Sequence, residues 1–511
     1  MADEEPQMAS SPLHGGQAPR GLGAGVASGH GRFGRMFEGL APCVPSDEAI
    51  EALVAAIGGS GATLGNNRRI PAGFTYLGQF IDHDITFDPN SQLDRLNDPL
   101  ALTNFRSPRL DLDSVYGSGP ADQPYLYDWS QAEPDPGVKL LVAQVPAGEG
   151  RTIDDLPRNE QERALIGDPR NDVHLIIAQL HLLFLRFHNK VVDTVRRDRE
   201  LRGAELFLEA CRIVRWHYGW IVAHDFLPRV VGKTTAERVL KPAGSWPPVE
   251  RRHLRWERAP FIPVEFSGAA FRFGHSMVRD SYSVQRPPAG VDGFPPVVAP
   301  DPKIVPKTDT GSPASHLTGF RRLIAELEID WGCFFELDAE QPPQPSMCID
   351  RGLAIRMSSM PAAIAGERSL PRLNLQRGRA LGLPSGQDVA RAVGQPAPLT
   401  FDELFPEGAL GAVAEPLRRA LERSTPLWYY VLAEAAGPLG EEGRHLGPVG
   451  GTIVAEVLAG ILEGDPQSHL SQAPAWTPEL RLEGTPAGTF TMADLVRFTN
   501  APDPPAAVAP G

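Results

Sequence analysis

Cysteine is scarce. The chain of 511 residues holds four, Cys43, Cys211, Cys333 and Cys348. No two form a C-x-x-C pair, which argues against a zinc knuckle or a dithiol redox site. Four are also too few for a disulfide framework, so they are expected as buried thiols of a reducing compartment. Positive charge is in deficit: 49 Lys and Arg stand against 63 Asp and Glu, a net charge of -14. That balance argues against nucleic acid and anionic membranes as main partners. The opening MADEEPQMASSPLHGG lacks the apolar stretch of a secretory signal, and a cytoplasmic protein is the expectation. Long uninterrupted apolar runs are missing too. The most apolar segment, residues 174–193, is broken by Gln179, Arg186, Asn189 and Lys190, so it reads as a buried helix and no integral membrane segment is expected. There is no internal repeat, no serine nucleophile elbow and no phosphate-binding glycine loop.

What is present is ample core material. Hydrophobic residues make up 42% and charged residues 22%, ordinary values for a globular chain with room for a buried cofactor. With 51 Gly and 51 Pro, loops should be long. Residues 1–45 are rich in Gly, Ala and Ser and suggest a flexible or irregularly wrapped arm. Residues 46–500 form the candidate catalytic domain, and residues 501–511 a Pro- and Ala-rich tail that frays. Helical signals fill the middle. Asp47 is placed to cap a helix over 49–57, and Asp172 one over 175–196 whose apolar residues occur nearly all round. Further helices are expected over 204–223, 315–327, 387–392, 401–405 and 410–421, over 450–463 after a Gly-Gly turn, and over 492–498 after a Thr cap. Alternating strands are scarce. The fold class expected is mainly α, one large domain with long loops and little β.

One short segment concentrates chemistry: Gly78-Gln79-Phe80-Ile81-Asp82-His83-Asp84. Positions 79, 82 and 83 share a helical face. A neutral imidazole beside an amide and carboxylates suits general-base work or metal binding, and equally a solvated turn with a hydrogen-bonded histidine. Other motifs follow: Asp111-Leu112-Asp113-Ser114-Val115-Tyr116-Gly117, Gly167-Asp168-Pro169-Arg170, the segment from His181 to Asn189, Phe271-Arg272-Phe273-Gly274-His275, and Leu373-Asn374-Leu375-Gln376-Arg377-Gly378-Arg379. In this order, across residues 74–384, they resemble the animal-type haem peroxidases of the peroxidase–cyclooxygenase superfamily, in a bacterial-like form.

The resemblance implies a haem b enzyme. His275 is the implied proximal iron ligand, with Asn374 orienting its other ring nitrogen. Arg272 is implied to pair with a haem propionate, and Arg377 is a second cation near the same segments. His83 is the implied acid–base residue, taking a proton from hydrogen peroxide and returning it to the departing oxygen. Arg170 stabilises the negative charge that develops, and Gln79 orients water or a halide. The implied function is a peroxidase working through a ferryl intermediate, with hydrogen peroxide and a halide, thiocyanate or small organic donor as partners. The runner-up readings are a haem-dependent fatty-acid dioxygenase and a haem-binding protein of low activity. The second motif resembles a calcium loop: Ser107, Asp111, Asp113 and the Arg109 carbonyl, with Asp84 added from beside His83, are hard oxygen donors suited to Ca²⁺.

The pattern breaks in places. Many relatives tie haem through two carboxylate esters. Asp82 matches the first, but Val173 occupies the second position, and Asp172, one residue early, points elsewhere on a helix. At most one ester, through Asp82, is therefore expected. His174 replaces the methionine that makes a sulfonium link in some mammalian members. Arg272 stands where the dioxygenase branch has its tyrosine. His181 with His188, and His217 with His224, are each seven apart, and are expected as core histidines more than as metal ligands.

Overall fold

The computed structural model describes residues 31–58, 63–87, 102–148, 150–256, 259–286, 316–354, 369–406, 409–410 and 413–502. In chain order the elements are β1 (Gly31–Gly34), α1 (Asp47–Gly58), β2 (Asn66–Pro71), α2 (Gly73–Ile85), β3 (Thr103–Asn104), α3 (Asp113–Tyr116), β4 (Ala143–Pro146) and β5 (Thr152–Asp155). Then follow α4 (Leu175–Arg199), α5 (Gly203–Ile221), α6 (Leu227–Val231), α7 (Lys233–Val239), β6 (Ile262–Pro263), α8 (Val264–Gly268) and β7 (Pro345–Met347). The chain ends with α9 (Leu370–Ala380), α10 (Gly386–Ala392), α11 (Phe401–Leu404), α12 (Glu415–Arg423), α13 (Leu427–Ala436), α14 (Pro448–Gly464), α15 (His469–Gln472) and α16 (Met492–Asn500). The architecture is mainly α, as expected. Its strands form only the small groups β3-β1-β6, β2-β7 and β4-β5.

Two helices form the centre. Helix α4 is buried on nearly every side from Leu175 to Leu185 and packs against α5, α2 and α16. Its length and composition would let it cross a membrane, but 83% of its most apolar window is buried inside the fold. Helix α14 is equally enclosed, buried from Val449 to Leu462. The buried Glu434 carboxylate accepts from Val449 N at 2.9 Å, satisfying a donor that the first turn of α14 leaves open. The four cysteines are buried free thiols.

Several local expectations need correction. Asp172 does not cap α4: His174 Nδ1 accepts from Ile176 N at 3.2 Å, while Asp172 takes Arg158 through two bonds of 2.7 and 2.8 Å. Ser46, one residue before Asp47, caps α1 through Ala49 N at 3.2 Å. The described part of 315–327 is not a helix. Leu317 O accepts from Leu175 N and Val173 O from Gly319 N, so tertiary pairing with the entry to α4 pulls the segment straight. Only a 3₁₀ turn, Ala325–Leu327, remains. Helix α12 starts at Glu415, not 410, with Pro416 in its first turn, a position where a missing N–H costs nothing. Gly450-Gly451 lies inside α14, where a Cβ on Gly450 would come within 2.8 Å of Val431. Of the arm, residues 31–45 are described. They wrap onto the core through Phe33, Met36 and Phe37, and the buried Glu265 carboxylate accepts from Met36 N at 3.0 Å and Phe37 N at 3.3 Å. Residues 1–30 and 503–511 lie outside the described residues.

Candidate active site

Helix α2 follows directly from β2, which pairs antiparallel with β7. Its first residue is Gly73, where a Cβ would lie 2.5 Å from the Phe335 ring, so glycine lets the helix start against that turn. Phe80 and Ile81 are fully buried, and Phe80 stacks on Phe184 of α4 at 4.6 Å between centroids. That anchorage fixes the rotation of α2. Gln79, Asp82 and His83 then share one side at i, i+3, i+4 spacing.

His83 is buried and its Nδ1 meets Asn171 Oδ1 at 2.7 Å. Burial, and then the charge of Arg170, push its pKa down to about 4, so it is a neutral base near pH 7. Arg170 comes from the 3₁₀ turn Pro169–Asp172. Its Nη2 donates to the His83 carbonyl at 2.9 Å and to Asp168 at 2.7 Å, and its guanidinium lies 4.6 Å from the Phe87 ring centroid. Arg170 Nη1 makes no hydrogen bond among the described residues. Asp168 is fully buried and also pairs with Arg106 at 2.6 Å. Those two cations hold its carboxyl well below the usual range despite burial.

The expected proximal side comes from the 3₁₀ turn Ala270–His275 and from α9. Asn374 Nδ2 and His275 Nδ1 are 3.1 Å apart. Asn374 Oδ1 accepts from Arg272 Nη1 at 3.4 Å, and Arg272 Nε donates to Ser267 O at 2.8 Å. Burial and the Arg272 charge push His275 down to about 3, leaving the neutral imidazole that a metal needs. Arg272 itself is pushed down to about 10 by burial and by Arg377. Asp82, Thr86, Arg170, Arg272 and Arg377 line one cleft of about 180 Å³ with apolar walls. The Thr86 hydroxyl donates to Asp82 Oδ1 at 2.9 Å. Gln79 is half-buried one turn before His83.

The donor set fits haem. A neutral imidazole lies beside a cleft edged by Arg272 and Arg377, and Arg272 has no carboxylate partner among the described residues. A planar group bearing carboxylates would supply Arg272 with an anion. No tyrosine lines the cleft among the described residues.

A second cluster lies behind His83. Oxygens of Asp84, Asp111 and Asp113 gather within 4.8 Å of one another, and all three residues are buried. Ser107 Oγ donates to Asp111 at 2.7 Å. Arg106 reaches Asp113 at 3.3 Å. Burial and mutual repulsion push Asp84 and Asp113 up. Arg109 is half-buried with its side chain 3.8 Å from Asp465, and no contact ties its carbonyl to the cluster. The remaining histidines largely behave as core residues. His188 lies between Tyr116 Oη at 3.0 Å and Val138 O at 2.9 Å. His217 lies between Ile213 O and Leu480 N, and His224 is exposed, its ring tilted 36° over Trp220 at 3.9 Å. Sequence reasoning assigned no role to Asp168, Asn171, Arg106 or Thr86. Asp168 stood inside a quoted motif, and its adjacency to Pro169-Arg170 was the one available signal.

A model of the family described as animal haem peroxidase matches residues 92–465. The chain is 25% identical to heme peroxidase 2 of Caenorhabditis elegans, over 70% of this chain and 47% of that protein. It is 24% identical to thyroid peroxidase of Sus scrofa, over 84% and 44%, and 26% identical to human myeloperoxidase, over 74% and 48%. It thus spans about half the length of these curated relatives. Among solved structures, peroxidase A of Dictyostelium discoideum aligns at TM-score 0.60 and 15% identity over 92% of both chains. The fatty acid alpha-dioxygenase of Oryza sativa aligns at 0.56 and 15%, over 85% of this chain and 77% of that one. At such identities these two speak for the fold alone.

Proposed function

Since the chain belongs to the animal haem peroxidase family, we propose that it is a haem peroxidase that reduces hydrogen peroxide, with His83 as acid–base residue and Arg170 as its electrostatic partner. The observation that carries this reading is their coupling. Arg170 Nη2 donates to the His83 carbonyl at 2.9 Å, so base and cation form one unit.

Family membership implies a bound haem. Haem supplies the redox chemistry by which the O–O bond is cleaved and a donor is oxidised. The residues of this chain do the rest. His275 would ligate the iron through Nε2; its Nδ1 would then carry the proton, and the Asn374 amide, whose Nδ2 now faces that nitrogen, would turn to present Oδ1. Arg272 and Arg377 pair with the propionates. His83 accepts a proton from hydrogen peroxide and returns it to the departing oxygen. Arg170 holds the charge that develops there, and Gln79 orients water or a halide. Asp82 is the candidate for a single ester. Asp172 is the weaker choice as its companion, since both of its oxygens accept from Arg158. The donor classes are halide, thiocyanate and small organic reductants.

The test is the rate of reaction of the haem-loaded protein with peroxide. His83→Ala should slow it by roughly 10²–10⁴-fold, the range for positioned acid–base groups, with haem retained. An unchanged rate removes His83 from the role. Oxygen uptake with unsaturated fatty acid in the absence of peroxidase activity would favour a dioxygenase instead.

The acidic cluster is the proposed Ca²⁺ site, with Asp84, Asp111, Asp113, Ser107 and the Arg109 carbonyl as ligands. The support is electrostatic. Three buried carboxylates crowd together beside Arg106, two of them pushed up in pKa by burial and mutual repulsion, and a hard divalent ion would offset that repulsion. Metal analysis of the purified protein should find about one calcium per chain, and its removal should perturb the haem absorbance through Asp84.

A further inference from the structure

The turn Pro169–Asp172 is a 3₁₀ helix, with three residues per turn, so three successive side chains leave in three directions. Arg170 goes to the cleft and Asp172 to Arg158. Asn171 goes behind His83: it is fully buried, its Oδ1 lies 2.7 Å from His83 Nδ1, and its Nδ2 lies 3.0 Å from His181 Nδ1. The far end of this chain is unusual. His181 is fully buried on α4, and its Nε2 has no partner among the described residues.

We propose that Asn171 is a positioning residue that fixes the proton of His83 on Nδ1, and that His181 locks the Asn171 amide in the orientation this requires. The inference rests on the reading of His83 as the base.

An amide has one accepting end and one donating end. With Oδ1 toward His83, Nδ1 must be the donor, and Nε2 is left as the basic nitrogen. With the amide reversed, Nδ2 would donate to Nδ1, the ring proton would move to Nε2, and the base would be blocked. Nothing at His83 alone forbids that reversal. His181 opposes it in one tautomer: with its proton on Nε2, its Nδ1 accepts from Asn171 Nδ2 and has no hydrogen to offer Oδ1. Both rings are buried, and burial disfavours the charged form of an imidazole. Each therefore carries a single proton, and the chain has two self-consistent arrangements, of which the one built here leaves the catalytic nitrogen free. The backbone of the turn supports it, since Asn171 N donates to Asp168 O at 3.0 Å.

The experiment compares haem-loaded His83→Ala, Asn171→Leu, Asn171→Asp, His181→Phe and the His83→Ala/Asn171→Leu double variant, mixed rapidly with hydrogen peroxide while haem absorbance is followed. Asn171→Leu should slow the reaction roughly tenfold or more, part of the acid–base range. Asn171→Asp, which still offers His83 an oxygen, should recover most of the rate. His181→Phe should slow it by a smaller factor. In the double variant Asn171→Leu should add nothing, because its effect runs through His83. A wild-type rate in Asn171→Leu overturns the proposal, and so does equal slowing with and without His83, which would mark a merely structural role. If Asn171→Leu does not retain haem, His181→Phe decides, and a wild-type rate there overturns the lock. A wild-type rate in His83→Ala sinks the base reading itself, and is distinguishable from the case in which His83→Ala is slow and Asn171→Leu is not.

Discussion

The two walls of the candidate site are built differently. On the distal wall the polar side chains form a linked series. His83 leans on Asn171, Asn171 on His181, Arg170 on Asp168, and Asp168 on Arg106. A buried carboxylate already balances the arginine. On the proximal wall two arginines lie close together. Burial and the Arg377 charge lower Arg272, opposed more weakly by Asp82, and His275 has an amide neighbour at 3.1 Å. The first wall balances its buried arginine from within. On the second, Arg272 has no hydrogen-bonded carboxylate among the described residues, and the buried imidazole is suited to a metal from outside.

The largest contrast should be in haem retention. His275→Ala removes the proposed axial ligand, and the purified protein should lose haem or change its axial-ligand spectrum. His83→Ala should leave both intact. Haem content and the absorbance spectrum of the two variants check this, and equal retention would erase the asymmetry.

The next effect concerns the distal wall by itself. Asp168→Asn leaves Arg106 and Arg170 facing each other across a buried amide. Breaking such a buried pair from one side costs about 3–5 kcal/mol, so thermal stability should fall even in the haem-free protein. Arg272→Gln, which removes a cation without a carboxylate partner, should not destabilise the haem-free protein. Thermal denaturation of both haem-free variants measures the difference.

A smaller effect follows from the packed helices α4 and α5, which carry His188 and His217. Burial pushes His188 and His217 down to about 4, below an unfolded value of about 6.5. In the unfolded chain these rings protonate first as pH falls. Their contribution is full above pH 6.5 and is lost as pH drops from about 6.5 towards 4, on the order of a few kcal/mol in all. The melting temperature should therefore fall between pH 7 and pH 5, and His188→Gln should flatten that slope.

The distal wall was also the more legible part in the sequence, though only its catalytic face. Gln79, Asp82, His83 and Asp84 sit within one helical turn or so, and α4 announces itself by length and apolar content. What lies behind them was not legible. The partners Asn171 and His83 are 88 residues apart, and Arg106 and Asp168 are 62 apart, so no local pattern joins them. Helix α13 was missed because Leu427 to Ala435 is buried on every side, which leaves no amphipathic period to read. The 315–327 segment looked helical by composition, but its backbone pairs with the entry to α4, and tertiary hydrogen bonds outweigh weak local propensity. Asp172 had the right chemistry for a cap, yet the buried Arg158 offers it two charge-assisted bonds, which outweigh one cap bond.

The smallest predicted effect tests the proximal wall at its thinnest point. Asn374→Asp would set a carboxylate against His275 Nδ1 and draw the imidazole towards its anion, lowering the haem reduction potential. A charged acceptor in place of a neutral one is worth about 1 kcal/mol, or roughly 40 mV for a one-electron couple. Arg272 should blunt this, because its Nη1 already reaches Asn374 Oδ1 at 3.4 Å and would pair with the new carboxylate. The shift should therefore be smaller in Asn374→Asp alone than in Asn374→Asp combined with Arg272→Gln, as read by redox titration of the haem-loaded proteins. Equal shifts would mean that Arg272 is held entirely by a propionate once haem is bound. The contrast between the walls would then vanish in the holoprotein, with the guest satisfying on one side what Asp168 satisfies on the other.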